Sequence, residues 1–220
     1  MAKGMGSGRR ALVVEDNVLL AELITSLVES LGFETRRATS VTEALERLDD
    51  FKPDVALVDL DLGAGPTGLD LLAAIEKTAP NVAAVILSAH RSPQLVSEGP
   101  WPSARKTPYL VKQDITSSKI IGTALKAALD GKPFDNPTEA TAPVVQVTPA
   151  QAEVLRLMAA GMSNKQIADY RGSTMRAVEQ LVHRTFAALG LSTHDNLNPR
   201  VEAVRKYRDS EVIVRAHQTH

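Results

Sequence analysis

Four short apolar runs each end in a residue able to do chemistry. Ala11-Leu12-Val13-Val14 leads into the pair Glu15-Asp16, and Val55-Ala56-Leu57-Val58 leads into Asp59. Val85-Ile86-Leu87 leads into Ser88, and Tyr109-Leu110-Val111 into Lys112. Runs of this length, separated by helical patterns, read as buried parallel strands. In an open parallel α/β sheet the carboxyl ends of the strands form the crevice where ligands bind, so these residues are expected to converge. Three carboxylates, a hydroxyl and an ammonium are what a magnesium-assisted phosphoryl acceptor needs. Singly, each has a plainer reading: an Asp after a strand is often a helix N-cap, and a Lys there is usually solvated. Their joint order is what favours a site.

The elements that must position them follow from periodicity and punctuation. Residues 18–28 have helical apolar spacing and stop near Gly32, and Phe33-Glu34-Thr35 is a short strand candidate. Ser40-Val41-Thr42-Glu43 is a capping-box pattern that opens a helix through Leu48. A glycine-rich loop, residues 63–68, leads from the strand at 55–58 into a helix at 69–77. A strand at 82–87, a short helix near 93–97, the strand at 109–111 and a helix at 117–129 complete five strands alternating with five helices. Asp130-Gly131-Lys132-Pro133 ends that last helix, and Asp135 to Gln146, rich in Pro and Thr, lacks amphipathic periodicity, which predicts a linker. From Thr148 onward every pattern is helical.

At 220 residues and 44% apolar content, the chain has room for one domain of ordinary size and a smaller one. The absence of cysteine removes disulfides, thiolate metal sites and cysteine nucleophiles. No apolar stretch approaches the roughly 18–20 residues that span a bilayer, and the first ten residues lack the apolar core of a signal peptide. A cytoplasmic protein with no membrane partner is expected. The net charge of −1 hides an asymmetry: residues 148–220 carry 10 Lys and Arg against 7 Asp and Glu, leaving 15 against 19 for residues 1–147. That sign fits a basic output module behind an acidic sensor.

With VVEDN, PDVALVD, ILSAH and YLVK in this order, residues 10–131 resemble the receiver domain of two-component response regulators. The resemblance implies a flavodoxin-like, doubly wound, five-stranded parallel fold. It makes Asp59 the acceptor of a phosphoryl group from a sensor histidine kinase. It further implies Mg²⁺ held by Glu15, Asp16, Asp59 and the backbone carbonyl of Asp61. Lys112 and Ser88 would then contact the phosphoryl oxygens, and Tyr109 would be the aromatic reporter of the switch. The only chemistry expected is self-catalysed phosphoryl acceptance. Three departures stand out: the loop LDLGAGPTG after Asp59, Gln113 where proline commonly follows the lysine, and Glu98-Gly99-Pro100-Trp101-Pro102-Ser103 where a fourth helix would run. Without that proline no cis peptide is expected after Lys112. VALVDLDLG also resembles the DxD signature of haloacid-dehalogenase-like phosphatases, with Asp61 as general acid, although the acidic pair then lies upstream of the nucleophile.

The second half begins with Thr148-Pro149-Ala150-Gln151, a helix start by cap, proline and capping box. Ser163-Asn164-Lys165-Gln166 repeats the logic, and a longer helix follows Thr174 with Val178, Leu181, Val182, Thr185 and Leu189 on one side. Two short helices and a longer one form a helix-turn-helix unit. TPAQAEVLRLMAAGMSNKQIA, continued by AVEQLVHRTFAALG, resembles the DNA-binding domain of LuxR/NarL regulators over residues 148–207, after a linker at 132–147. By that resemblance the base-reading positions are Glu179, Gln180 and His183, with Arg176 and Arg184 placed for phosphates. DNA and a second copy of the chain are the implied partners. Two alternatives stay open: an interaction protein of the same fold that does not bind DNA, and the phosphatase.

Overall fold

Strand β1 (Arg10–Val14) is buried from Ala11 onward, and β3 (Val55–Asp59) is buried at every position. A strand buried on both faces needs helices on both sides of its sheet. The computed structural model supplies them, and it describes residues 6–63, 65–91, 95, 107–134, 145–191, 198–209 and 211–214. After β1 come α1 (Val18–Ser30), β2 (Glu34–Ala38) and α2 (Val41–Phe51). After β3 come α3 (Gly68–Thr78), β4 (Ala83–Ser88), β5 (Tyr109–Val111) and α4 (Ser118–Asp130). All strands are parallel, in the order β2-β1-β3-β4-β5. The chain steps from β1 outward to β2 and returns across β1 to β3. The order therefore reverses between β1 and β3, the switch point at which such sheets bind ligands.

Local chemistry explains where the elements begin. The Asn17 side chain accepts from the Leu20 amide to cap α1, and Ser40 accepts from Glu43 to cap α2. Thr67 and Asp70 form a reciprocal capping box at α3. Two boundaries differ from expectation. β2 starts and ends later than 33–35: Phe33 turns into the core, and Arg36 and Arg37 continue along the edge, where charge discourages pairing with other chains. α2 runs past Leu48 to Phe51, a buried ring, before Lys52 leaves the helix in the left-handed region. The helix expected near 93–97 lies, apart from Leu95, outside the described residues, as do 98–103 and 135–144.

The chain divides into two units, Met1–Ser88 with Pro100–Thr138, and Ala89–Gly99 with Glu139–His220. The second contains α5 (Pro149–Ala159), α6 (Asn164–Tyr170), α7 (Met175–Ala188) and α8 (Pro199–Arg208). Capping boxes at Thr148/Gln151 and Ser163/Gln166 start α5 and α6, as their sequences predict. Its core gathers Val154, Leu155, Leu157, Ile167, Val178 and Ala203, together with Leu95. The expectation of a purely helical second domain needs correction. β6 (Val145–Val147) pairs in parallel with β7 (Val212–Val214), so the last residues of the expected linker are already structured. Three-residue strands rich in Val leave no periodicity to read, and only their pairing defines them.

Candidate functional site

The carboxyl ends of β1 and β3 lie side by side, with Val14 in register with Val58. The next residues, Glu15 and Asp59, are both only 1% exposed, and Asp16 is exposed. One carboxylate oxygen from each of Glu15, Asp16 and Asp59 lies within 4.8 Å of the others. Lys112, which follows β5 in a 3₁₀ turn, reaches back to this group: its Nζ is 2.8 Å from Glu15 Oε2 and 2.7 Å from Asp59 Oδ2. Neither oxygen receives a hydrogen bond of normal geometry, so the ammonium acts there mainly by charge. Glu15 Oε1 accepts from the Asn17 amide, and Asp59 Oδ1 from the Asp61 amide at 3.2 Å.

Burial pushes the Asp59 carboxyl up to about 6; the Lys112 ammonium opposes this, the Glu15 carboxylate adds to it and the Asp61 amide opposes it. Burial alone would pull Lys112 down. The Asp59 and Glu15 carboxylates outweigh it and hold the ammonium above its usual range. The pocket thus keeps its lysine charged and leaves its central carboxyl poised near neutrality.

Ser88 ends β4, 2% exposed, and pairs in register with Val111 just before Lys112. Tyr109 opens β5, half-buried and in register with Ile86. Asp61 enters the site through its backbone, because its side chain is exposed while Leu60 and Leu62 on either side are buried. An exposed Asp61 gives no support to the general-acid role that the phosphatase alternative assigns it. No peptide among the described residues is cis, so Lys112-Gln113 is trans as expected.

Two glycines shape the pocket in ways the motifs do not announce. A Cβ on Gly68 would come within 1.9 Å of the Asp59 carbonyl oxygen, so the start of α3 packs directly on the acceptor strand. Gly63 has φ of +74°, and a Cβ there would lie 3.3 Å from Asp16 Oδ2. Gly63 therefore lets the backbone approach the exposed carboxylate closely.

In the helical unit, Arg176, Glu179, Gln180, His183 and Arg184 line one open depression along α7. All five are exposed, while Val178, Val182 and Thr185 face the core. Thr174 caps the helix through the Ala177 amide, and Gln151 on α5 donates to the Arg184 carbonyl, which fixes the helix end. Arg205 and Lys206, which sequence gave no role, form ion pairs with Glu202, Asp209 and Glu211. Sequence reasoning missed Arg200, whose guanidinium donates to Asn164 Oδ1 and the Met162 carbonyl and so ties α8 to the start of α6. It also missed the partly buried Glu153–Arg171 pair between α5 and the end of α6.

The chain is 26% identical over 199 residues to the DNA-binding transcriptional activator DevR/DosR of Mycobacterium tuberculosis, covering 83% of this chain and 88% of that protein. In fold it matches a structure of the two-component response regulator RcsB in complex with DNA, with a TM-score of 0.54, 19% identity and coverage of 92% and 98%. RcsB from Salmonella enterica serovar Typhimurium, bound to a promoter in the presence of a phosphomimetic, matches with a TM-score of 0.51, 17% identity and the same coverage. Neither unit is aberrant in fold, since both RcsB matches extend across the five-stranded sheet and the helices that follow. Residues 11–123 match the family described as response regulator receiver domain. With that match spanning just over half of the chain, and with the acidic pocket on the strand ends that the family's motifs mark, this protein belongs to the response regulators.

Proposed function

We propose that this response regulator accepts a phosphoryl group on Asp59 from a sensor histidine kinase and uses it to control DNA binding by α7. The proposed division is a phosphoacceptor domain at 10–131, a linker at 132–147 and a LuxR/NarL-type helix-turn-helix domain at 148–207. The observation that carries the reading is the buried Asp59 carboxylate, held by Lys112 between the ends of β1 and β3.

In the proposed step an Asp59 oxygen attacks phosphorus. The bond from phosphorus to the donor nitrogen breaks, and its electron pair leaves with the imidazole. Only the deprotonated carboxylate is a nucleophile, and Lys112 favours that form. Glu15, Asp16 and Asp59 offer a compact all-oxygen donor set, two of whose buried oxygens lack normal hydrogen bonds; this fits a hard cation such as Mg²⁺. Bound there, the cation supplies charge that offsets the crowded carboxylates and the incoming phosphoryl group. The Asp61 carbonyl is a further proposed ligand. Lys112 then turns from the two carboxylates to a phosphoryl oxygen, Ser88 donates to another, and Tyr109 repositions with Ser88.

On α7 the proposed contacts are Gln180 and His183 to base edges, Glu179 to a cytosine amine, and Arg176 and Arg184 to phosphates. The DNA-binding role of its relative DevR/DosR supports this output, and the exposed row on α7 is where it would act. Two modules on adjacent half-sites would need a homodimer. The deciding experiment is labelling with acetyl phosphate in Mg²⁺. Wild type should be labelled, and Asp59→Asn and chelated protein should not. Unchanged labelling of folded Asp59→Asn protein would overturn the assignment. Salt-dependent selection from a random DNA pool, with and without label, tests the output; no binding in either state leaves an interaction module in its place.

A further inference from the structure

Among the described residues of the helical unit, the exposed large apolar side chains are Tyr170 on α6, Met175 on α7 and Val201 on α8. Tyr170 and Val201 lie off the helix proposed to read DNA. Met175 is the first residue of that helix and is 44% exposed. Glu179 is four residues on and His183 four more, so Met175 extends their exposed row by one turn toward the start of α7. Helix electrostatics favour Asp or Glu in a first turn. The first turn of α7 has neither and presents Met175 and Arg176 instead. An acidic group there would repel a phosphate backbone; a thioether and a guanidinium do not.

The backbone at the start of α7 is held from three directions. The Ser173 amide donates to the Ala168 carbonyl at 2.9 Å, the Thr174 side chain accepts from the Ala177 amide at 3.2 Å, and Arg171 pairs with Glu153 on α5. Met175 thus projects an unbranched, polarizable side chain, which adapts to apolar shapes, from a fixed point. In helix-turn-helix modules the first residues of the second helix meet base edges in the major groove. A thioether has no proton to donate to a base, so what it can select is an apolar surface. The major groove offers one on the base edges: the C5-methyl group of thymine. We infer that Met175 reads the C5-methyl group of a thymine, a specificity contact additional to those of Glu179, Gln180 and His183. The inference rests on the proposed DNA binding by α7 and names a base that this binding selects. Taking one methyl group out of water against the thioether is worth about fourfold in affinity.

Deoxyuridine differs from thymidine only by that methyl group, so replacing one with the other isolates the contact. Duplexes that full-length protein selects from a random pool, with and without acetyl phosphate and Mg²⁺, are remade with deoxyuridine at one thymine at a time, and binding is measured at fixed salt. Wild type should bind about fourfold more weakly when one particular thymine of a half-site is replaced. Met175→Ala should bind the thymine and deoxyuridine duplexes alike. Val201→Ala, which shortens an exposed apolar side chain on α8, should keep the wild-type ratio. Wild type indifferent to replacement at every thymine, or Met175→Ala that retains the fourfold ratio, overturns the methyl contact and leaves DNA binding by α7 standing. Loss of the ratio in Val201→Ala as well would trace it to the unit at large and overturn the assignment to Met175. Wild type that selects no DNA in either state overturns the DNA-binding reading, and the methyl contact falls with it.

Discussion

At the scale of single residues, the decisive feature is one ammonium shared by two buried carboxylates. Lys112 lies 2.7–2.8 Å from Asp59 and Glu15, and Asp59 titrates near 6 with that charge in place. Below that value the carboxyl is protonated and cannot attack. In metal-free protein the carboxyl signal of Asp59 should therefore titrate with a midpoint near 6, and added Mg²⁺ should move that midpoint down. Lys112→Ala removes the opposing charge, so the metal-free Asp59 midpoint should move upward; an unmoved midpoint would show that the ammonium does not act on Asp59. The linkage sign is also fixed. A carboxyl whose folded value is raised holds its proton where the unfolded chain has lost it, so this group's contribution lowers stability as pH rises from about 4 to 6. The meeting of these residues was legible because each follows an apolar run that reads as a buried strand. Gly68 was not legible: its need to lack a Cβ arises from contact with the Asp59 carbonyl, which no local pattern encodes.

At the scale of elements, capping chemistry and burial carry most of the prediction. Gly68→Ala places a methyl where the Asp59 carbonyl already sits, so the start of α3 or the end of β3 must shift. The expected cost is at least about 2 kcal/mol in urea unfolding of the sheet unit, with slower labelling in the surviving folded fraction. On α7, Gln180→Ala and His183→Ala should relax sequence preference by about 1–3 kcal/mol each, while Arg184→Ala should weaken all sites and reduce the salt slope by about one. Glu179→Ala separates two readings by sign: weaker binding at the specific site if it reads a base, stronger binding everywhere if it only repels phosphate. The helices of the second unit were readable from Thr148, Ser163 and Thr174 because their caps are local. The reach of β2 was misjudged because edge strands tolerate charges such as Arg36 and Arg37, which mask the alternation that marks a strand. Nothing local in Val145–Val147 or Val212–Val214 marks their pairing, since three residues are too few for a period.

At the scale of the whole molecule, the two units have separate cores and should unfold as separate transitions. Val212 is fully buried in the second core. Val212→Ala should lower only the transition of the helical unit, by about 1–3 kcal/mol, and leave acetyl-phosphate labelling intact; a shift in both transitions would show that they unfold together. That the chain falls into two units was readable from the composition change near residue 132. That Leu95 packs with the helices was not, because nothing in the sequence says which core an isolated leucine will join. The parallel pairing of β6 with β7 carries a further consequence. Val145 stands beside Val212, and Val214 lies two residues further along, so the stretch from 145 to 214 starts and finishes within about 10 Å. A segment whose two ends meet can be spliced into a surface loop of an unrelated protein without prising its host apart. The 145–214 segment is in that sense a cassette, and among the described residues Leu95 is the buried core member it would leave behind.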